Sequence, residues 1–220
     1  MSKYVFKPYR EIFPELFETE KKRIALRVKR VLAIEHIGST AIPNLGGKGI
    51  IDIAIAVKKE EMEEASKSLQ HLGYEFRPSF STAERFYFII DLPDPEEGQR
   101  RYHVHLTHSE SGDWKGFLAF REYLRKTPGA VEEYAEMKKQ AASQAHADGV
   151  QYRKIKAPMF EKVRSLLDKT QEVAVEALKE SRCAEAIDFL KKHEDFSLFL
   201  LGNLDAHGPR LTASANSGNL

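Results

Sequence analysis

An α+β domain is the fold class this sequence predicts, with a sheet complete by about residue 110 and a helical C-terminal half. Three observations predict it. Ile50–Val57 is apolar at nearly every position, as befits a central strand buried on both faces. Two further strand patterns, Arg85–Leu92 and Arg101–Thr107, flank the acidic, turn-rich connection Pro93–Gln99, which predicts an antiparallel hairpin. After Trp114 the apolar spacing turns helical almost throughout.

Taken in order, Arg10–Leu32 reads as a helix. Phe13, Leu16, Phe17, Ile24, Val28, Val31 and Leu32 recur at helical spacing between Glu, Lys and Arg. Pro14 sits early, where a first turn tolerates it. Ala33–Ile37 is a short strand. It runs into a Gly-Ser-Thr turn at 38–40 and a loop holding Pro43, Asn44, Gly46, Gly47 and Gly49. Beyond the central strand, Lys58–Leu72 is an amphipathic helix with Met62, Ala65, Leu69 and Leu72 on one face and Gly73 as its C-cap. The later helices span roughly 116–126, 130–146, 156–168 and 171–192, punctuated by Pro128–Gly129 and Asp148–Gly149. The chain shows no internal repeat and no low-complexity block.

Composition narrows the function classes. The 220 residues suffice for one substantial core, or for one domain and a fragment of another. An apolar share of 42%, a charged share of 30% and a net charge of +1 give no general reason to expect nucleic acid or an acidic membrane as partner. The segment 121–169 is net basic. It either suits a phosphorylated small ligand or is a solvated surface. Cys183 is the single cysteine, so no internal disulfide and no Cys-based zinc spacing arises. The charged N-terminus lacks a signal-peptide h-region, and no apolar stretch is long enough to span a membrane. A cytoplasmic location is the expectation.

The chemistry concentrates in IEHIGSTAIPNLGGKGIIDIAIAV, residues 34–57. The strand Ala33–Ile37 delivers Gly38 and Ser39 at its end. Glycine lets backbone N–H groups approach a phosphate, and serine adds a hydroxyl. Lys48 is the charge of the glycine-rich loop and can reach a phosphate as a point charge. The GxxxxGK[ST] spacing of a P-loop is absent. Asp52 is the sharper feature. Strand alternation places it with Ala54 and Ala56 on one face, opposite Ile51, Ile53, Ile55 and Val57. A mid-strand carboxylate is costly unless paired or bound to a cation. It either holds a divalent metal or accepts hydrogen bonds from the loop backbone. In RYHVHLTH, His103 and His105 share a face at i, i+2, and either share a ligand or metal, lie on a solvated sheet face, or tie their ring N–H groups to neighbouring backbone. His36, next to the Gly-Ser turn, either positions that turn or a phosphate, or is structural.

These residues resemble the GrpB family, over about residues 1–168. The likeness rests on IEHIGSTAIPNLGGKGIIDI, the His-x-His strand at 103–105, FREYLRKTP at 120–128, Tyr134 with Lys138, and YRKIKAPMFEKV at 152–163. Asn44 and Gly49 stand where the family motif more often has Gly and Pro. The resemblance implies a nucleotidyltransferase-like fold, a mixed β-sheet with flanking helices. In nucleotidyltransferases a Gly-Ser turn precedes a strand bearing Asp-x-Asp, and a third acid comes from a neighbouring strand. The carboxylates hold two metal ions. Gly38, Ser39 and Asp52 match that pattern, while Ala54 does not, and His103 and His105 occupy the neighbouring strand. The resemblance therefore implies a nucleotide or other phosphorylated small molecule as ligand. A single Mg²⁺ or Mn²⁺ on Asp52 with His103 or His105 is the expected metal site. Asp52, Ser39 and His105 are the candidate catalytic residues. His36, Gly38, Ser39, Thr40, Lys48, Arg121, Tyr152 and Lys156 are the candidate phosphate-side residues. GrpB-like domains fused to dephospho-CoA kinase suggest a second role, as a non-catalytic accessory or folding domain.

The segment AEAIDFLKKHEDFSLFLLGNLDAHGPRLTASANSGNL resembles the opening of an acetyltransferase-like domain. Residues 169–220 are therefore expected to be a helical extension, the truncated start of a second domain without acetyltransferase activity. Its apolar Phe196, Leu198, Phe199, Leu200 and Leu201 need burial, on the first domain or on a second copy of the chain.

Overall fold

The computed structural model describes residues 6–144 and 149–175, without the side chains of 149–150, 152–153 and 167–175. The expected helix 171–192 lies mostly outside that range, as do Cys183 and the apolar tail. The chain divides into two compact units, Met1–Phe160 and Glu161–Leu220.

The described elements are α1 (Phe13–Ala25), β1 (Ala33–Ile37), β2 (Ile51–Val57), α2 (Met62–His71), β3 (Glu75–Phe76), β4 (Arg85–Asp94), β5 (Gly98–His108), α3 (Gly112–Lys126), α4 (Ala130–Gln144) and α5 (Gly149–Val175). The sheet has the order β1-β2-β5-β4-β3. β2 and β5 run parallel, and the other neighbours are antiparallel. This is the mixed α+β architecture that the strand and helix patterns predict.

Alternation along β2 builds both faces. Ile51, Ile53, Ile55 and Val57 are fully buried in the main core, against Phe13, Phe17 and Ile24 of α1 and Met62, Ala65 and Leu69 of α2. Each such aliphatic side chain contributes about 1.5–3 kcal/mol through its removal from water. The opposite face is thinner. Ala54 and Ala56 pack with Ile37 and Trp114, and Phe117 and Leu118 of α3 lie against them. Small residues on this side let α3 approach while leaving Asp52 a place on the same face. Ser111 caps α3 by accepting a hydrogen bond from the Trp114 N–H at 3.1 Å.

Several boundaries differ from the sequence expectation, each for a local reason. α1 stops at Ala25, not Leu32, because the chain must turn into β1 and Arg30 adopts φ +56°. Val28 still reaches the core from that turn, so the apolar spacing outlasts the helix. The hairpin is tighter than Pro93–Gln99 suggests. Pairing continues to Asp94 opposite Gly98, where φ is +75°, and the Asp94 carboxylate accepts from the N–H groups of Glu96 and Glu97. β2 begins at Ile51. A short 3₁₀ turn at Lys59–Glu61 precedes α2. The two-residue β3 is too short to leave a periodic signal. α3 starts at Gly112 because of its Ser111 cap. The separate helices expected at 156–168 and 171–192 are, as far as Val175, one helix that opens at Gly149 and carries Pro158 in its interior. The domain boundary expected at 168 falls inside that helix.

Candidate functional site

The site begins where three strands align. Asp52 lies opposite His103 across the parallel β2–β5 pair and opposite Ile37 across β1–β2. Its Oδ1 is 3.0 Å from His103 Nδ1, and both side chains keep about a fifth of their surface exposed, 22% and 21%. Partial burial pushes the Asp52 carboxyl up. The hydrogen bond from His103, with the Lys156 cation behind it, outweighs that and holds it below its ordinary value. Asp52 is therefore an anion at neutral pH. With His103 donating from Nδ1, its Nε2 is the ring's second polar atom.

Gly38 completes this corner. Its φ is +70°, and a Cβ there would lie 2.9 Å from both Cβ and Cγ of Asp52 and collide with Oδ2. The glycine thus allows the turn and the carboxylate to share one volume. His105, two residues along β5, is different in kind. Its ring sits between Tyr87 (5.1 Å between centroids) and Phe117 (4.9 Å), and its Nδ1 is buried with no hydrogen-bond partner among the described residues. Burial pulls its pKa down to about 3, so the ring is neutral at ordinary pH. Tyr87 also contacts His103, at 5.3 Å, and was not singled out by the sequence pattern.

His36 points to the other side of the sheet. It stacks on Phe17 at 4.6 Å, and its Nε2 lies 3.0 Å from Thr40 Oγ1. Thr40 in turn donates to the Ile50 carbonyl at 2.9 Å, so His36 is the donor to Thr40. Burial lowers its pKa to about 4. His36 and Thr40 form a buried chain under the Gly-Ser turn.

The glycine-rich loop is held by the rest of the fold. Gly47 exchanges backbone hydrogen bonds with Lys7, at 2.7 and 2.8 Å. Gly49 O accepts from Arg100 at 2.6 Å, and Gly46 O accepts from Lys138 Nζ at 2.5 Å. A Cβ on Gly47 would lie 2.7 Å from Ser39 Oγ and 3.3 Å from Lys138 Cε, and closer still to Nζ. Ser39, Gly47 and Lys138 therefore converge on one point. Lys138 is only 3% exposed. Burial, with Lys156 and Lys48 as neighbouring cations, lowers its pKa to about 7, and the Asp52 anion offsets only part of this. It is the chief site residue that the sequence pattern does not single out. A signal existed: Ala130, Tyr134, Lys138 and Ala141 are the buried residues of α4, at helical spacing, which centres a lysine on an inward stripe.

Of the remaining candidates, Lys48 and Lys156 are partly exposed and belong to this charge cluster. Arg121 ties α3 to β1, donating to Glu35 at 2.7 Å, to the His36 carbonyl at 2.9 Å and to Glu122 at 2.9 Å. The Tyr152 side chain lies outside the described residues. For Mg²⁺ or Mn²⁺, Asp52 supplies a carboxylate oxygen, while His103 Nδ1 is taken up by its hydrogen bond to that carboxylate. Among the described residues no group of three His, Cys, Asp or Glu is placed to hold a metal ion. Such a donor set fits a cation that takes most of its ligands from a bound phosphate and water, the ordinary arrangement for Mg²⁺.

The fold and this corner define a class that comparison with known proteins identifies. The GrpB family, described as GrpB protein, matches residues 4–165. The chain belongs to the GrpB family. UPF0157 protein YqkA of Bacillus subtilis (strain 168) is 36% identical over 144 residues, covering 64% of this chain and 40% of that protein, so the chain spans less than half of that relative. The crystal structure of the conserved protein GrpB from Enterococcus faecalis superposes with a TM-score of 0.57 at 31% identity, covering 72% of this chain and 98% of the other. A dephospho-CoA kinase of Mycobacterium leprae is 28% identical over 171 residues, covering 63% of this chain and 41% of that enzyme. No helix among the described residues is long and apolar enough to cross a membrane.

Proposed function

We propose that this chain binds a nucleotide or another phosphorylated small molecule at the Gly38–Ser39 turn, with a divalent cation (Mg²⁺ or Mn²⁺) held between the ligand's phosphates and Asp52. The observation that carries the reading is the ionised Asp52 carboxylate, 3.0 Å from His103 and packed against a glycine that has no room for a side chain. In nucleotidyl transfer, a carboxylate at this place would hold the divalent cation, which would offset the phosphates' charge and orient them for displacement. Ser39 and the lysines supply the phosphate side.

A thermal-shift screen of nucleotides, with and without Mg²⁺ or Mn²⁺, tests it on wild type and Asp52→Asn. Ligand at about a hundred times its Kd stabilises the fold by about 2.7 kcal/mol. The expected result is a metal-dependent rise in Tm for wild type that is lost in Asp52→Asn. Metal-dependent stabilisation that survives the substitution unchanged rejects the role given to Asp52. Product formation from labelled ATP then separates an enzyme from a binding domain.

One observation favours a second reading. Ala54 stands where the second acid of an Asp-x-Asp pair belongs, and its position faces His105 rather than a carboxylate across β5. A domain that kept a ligand corner without transfer chemistry fits that arrangement, and it fits the likeness to part of a dephospho-CoA kinase. No stabilisation by any nucleotide favours this accessory role.

A further inference from the structure

Lys138 sits in the middle of α4, yet its ammonium is buried against a loop 92 residues away in the chain. An ammonium has three N–H donors. Among the described residues its hydrogen-bond acceptor is the Gly46 carbonyl, and no carboxylate lies within ion-pair reach. Lys48 of the loop and Lys156 of α5 oppose its charge, and Asp52 of β2 favours it. Burying a cation this way is expensive unless an anion shares the site. The loop is shaped around it as well. Gly47 has no space for a Cβ because Lys138 and Ser39 Oγ already flank that point.

We infer that Lys138, Ser39 Oγ and the two lysines Lys48 and Lys156 form an oxyanion subsite that takes a phosphoryl group of the ligand, with Lys138 as its inner cation. The inference rests on the proposed binding of a phosphorylated molecule and adds which residues grip it. A phosphate oxygen reaching Ser39 accepts from the hydroxyl and from Lys138 together. Lys48 and Lys156, both partly exposed, form the outer part of the subsite.

The alternative is that Lys138 only staples α4 to the loop. Titration of the full chain with pyrophosphate, without metal and against chloride at matched ionic strength, separates the two. Wild type is expected to bind pyrophosphate, and Lys138→Met to weaken it by about tenfold or more. Without ligand, Lys138→Met is expected to melt no lower than wild type, because the cost of burying the ammonium outweighs its contacts with the Gly46 carbonyl and the Tyr134 ring. If Lys138→Met melts lower and still binds pyrophosphate as wild type does, Lys138 is a staple and the inference fails. Should that variant not fold, Ser39→Ala serves, with a several-fold weaker response expected and an unchanged one contradicting the subsite. Nucleotide stabilisation that depends on Asp52 but not on Lys138 or Ser39 sinks this inference and leaves the proposed function standing. Absence of any phosphate or nucleotide response removes both.

Discussion

Gly38 carries two constraints at once, and they can be separated. Its φ of +70° with ψ −169° is a region essentially reserved for glycine and costs any L side chain about 1–3 kcal/mol, and its missing Cβ leaves room for the Asp52 carboxylate. Gly73 offers a control. Its φ is +92°, but a Cβ there meets only Ile90 Cδ1 at 3.6 Å, an ordinary contact. Both Gly38→Ala and Gly73→Ala are expected to lower stability by the backbone cost. Gly38→Ala alone should displace Asp52 from His103, which NMR of the His103 imidazole reports. An unchanged imidazole signal in Gly38→Ala would mean that the turn and the carboxylate are not coupled. The motif made Gly38 and Asp52 visible in the sequence, but their mutual exclusion was not. It arises from strand register, with Ile37 opposite Asp52, and register is a property of pairing between segments.

At the scale of elements, the β4–β5 hairpin is pinned by one buried ion pair. Arg100 Nε lies 2.5 Å from Asp94 Oδ2, with side-chain exposures of 1% and 0%. The same guanidinium donates to Gly49 O and sits 5.0 Å from the Phe13 ring centroid. The hairpin turn, the glycine-rich loop and α1 therefore share a single cation. Asp94→Ala removes that cation's nearer carboxylate, leaving Glu97 at 3.8 Å, and is expected to destabilise the fold by about 3 kcal/mol. Chemical denaturation reads this directly. The double variant Asp94→Ala, Arg100→Met should recover part of the loss, because no buried charge is left unpaired. A further loss in the double variant would show that packing on Phe13 outweighs the charge. The hairpin itself was legible, since alternation and turn residues are local signals. Lys138 was harder to read. In α4 it follows Glu133 and Glu136 and precedes Lys139, a run that reads as a solvated face. Only the Ala130–Tyr134–Lys138–Ala141 stripe places it inward, and its partner is a loop remote in sequence. The over-long α1 is the converse error. Helical spacing continued to Val28 and Val31 although the backbone had left the helix.

For the whole molecule, three buried bases set how stability follows pH. Burial lowers His36 to about 4 and His105 to about 3, against an ordinary 6.5. Between those values the unfolded chain binds protons that the native fold refuses. Stability therefore falls as pH drops below about 6.5, by about 1.4 kcal/mol per pH unit for each ring. Carboxylates with lowered pKa values, such as Asp52 and Asp91, act mainly below about pH 5 and leave the window above it to the histidines. Denaturation between pH 7 and 4 should show that slope, and His36→Gln or His105→Gln should each remove roughly half of it. Equal slopes in wild type and both variants would place the acid lability elsewhere. Lys138 extends the trend upward. Its native value of about 7 lies below the ordinary 10.5, so the unfolded chain holds a proton that the fold gives up. Stability should therefore rise from pH 7 to pH 9, and Lys138→Met should flatten that rise. An anion bound beside the ammonium favours its charged form, so saturating sulfate, a dianion throughout this range, is expected to flatten it in wild type too. A rise that persists in Lys138→Met would assign it to another group.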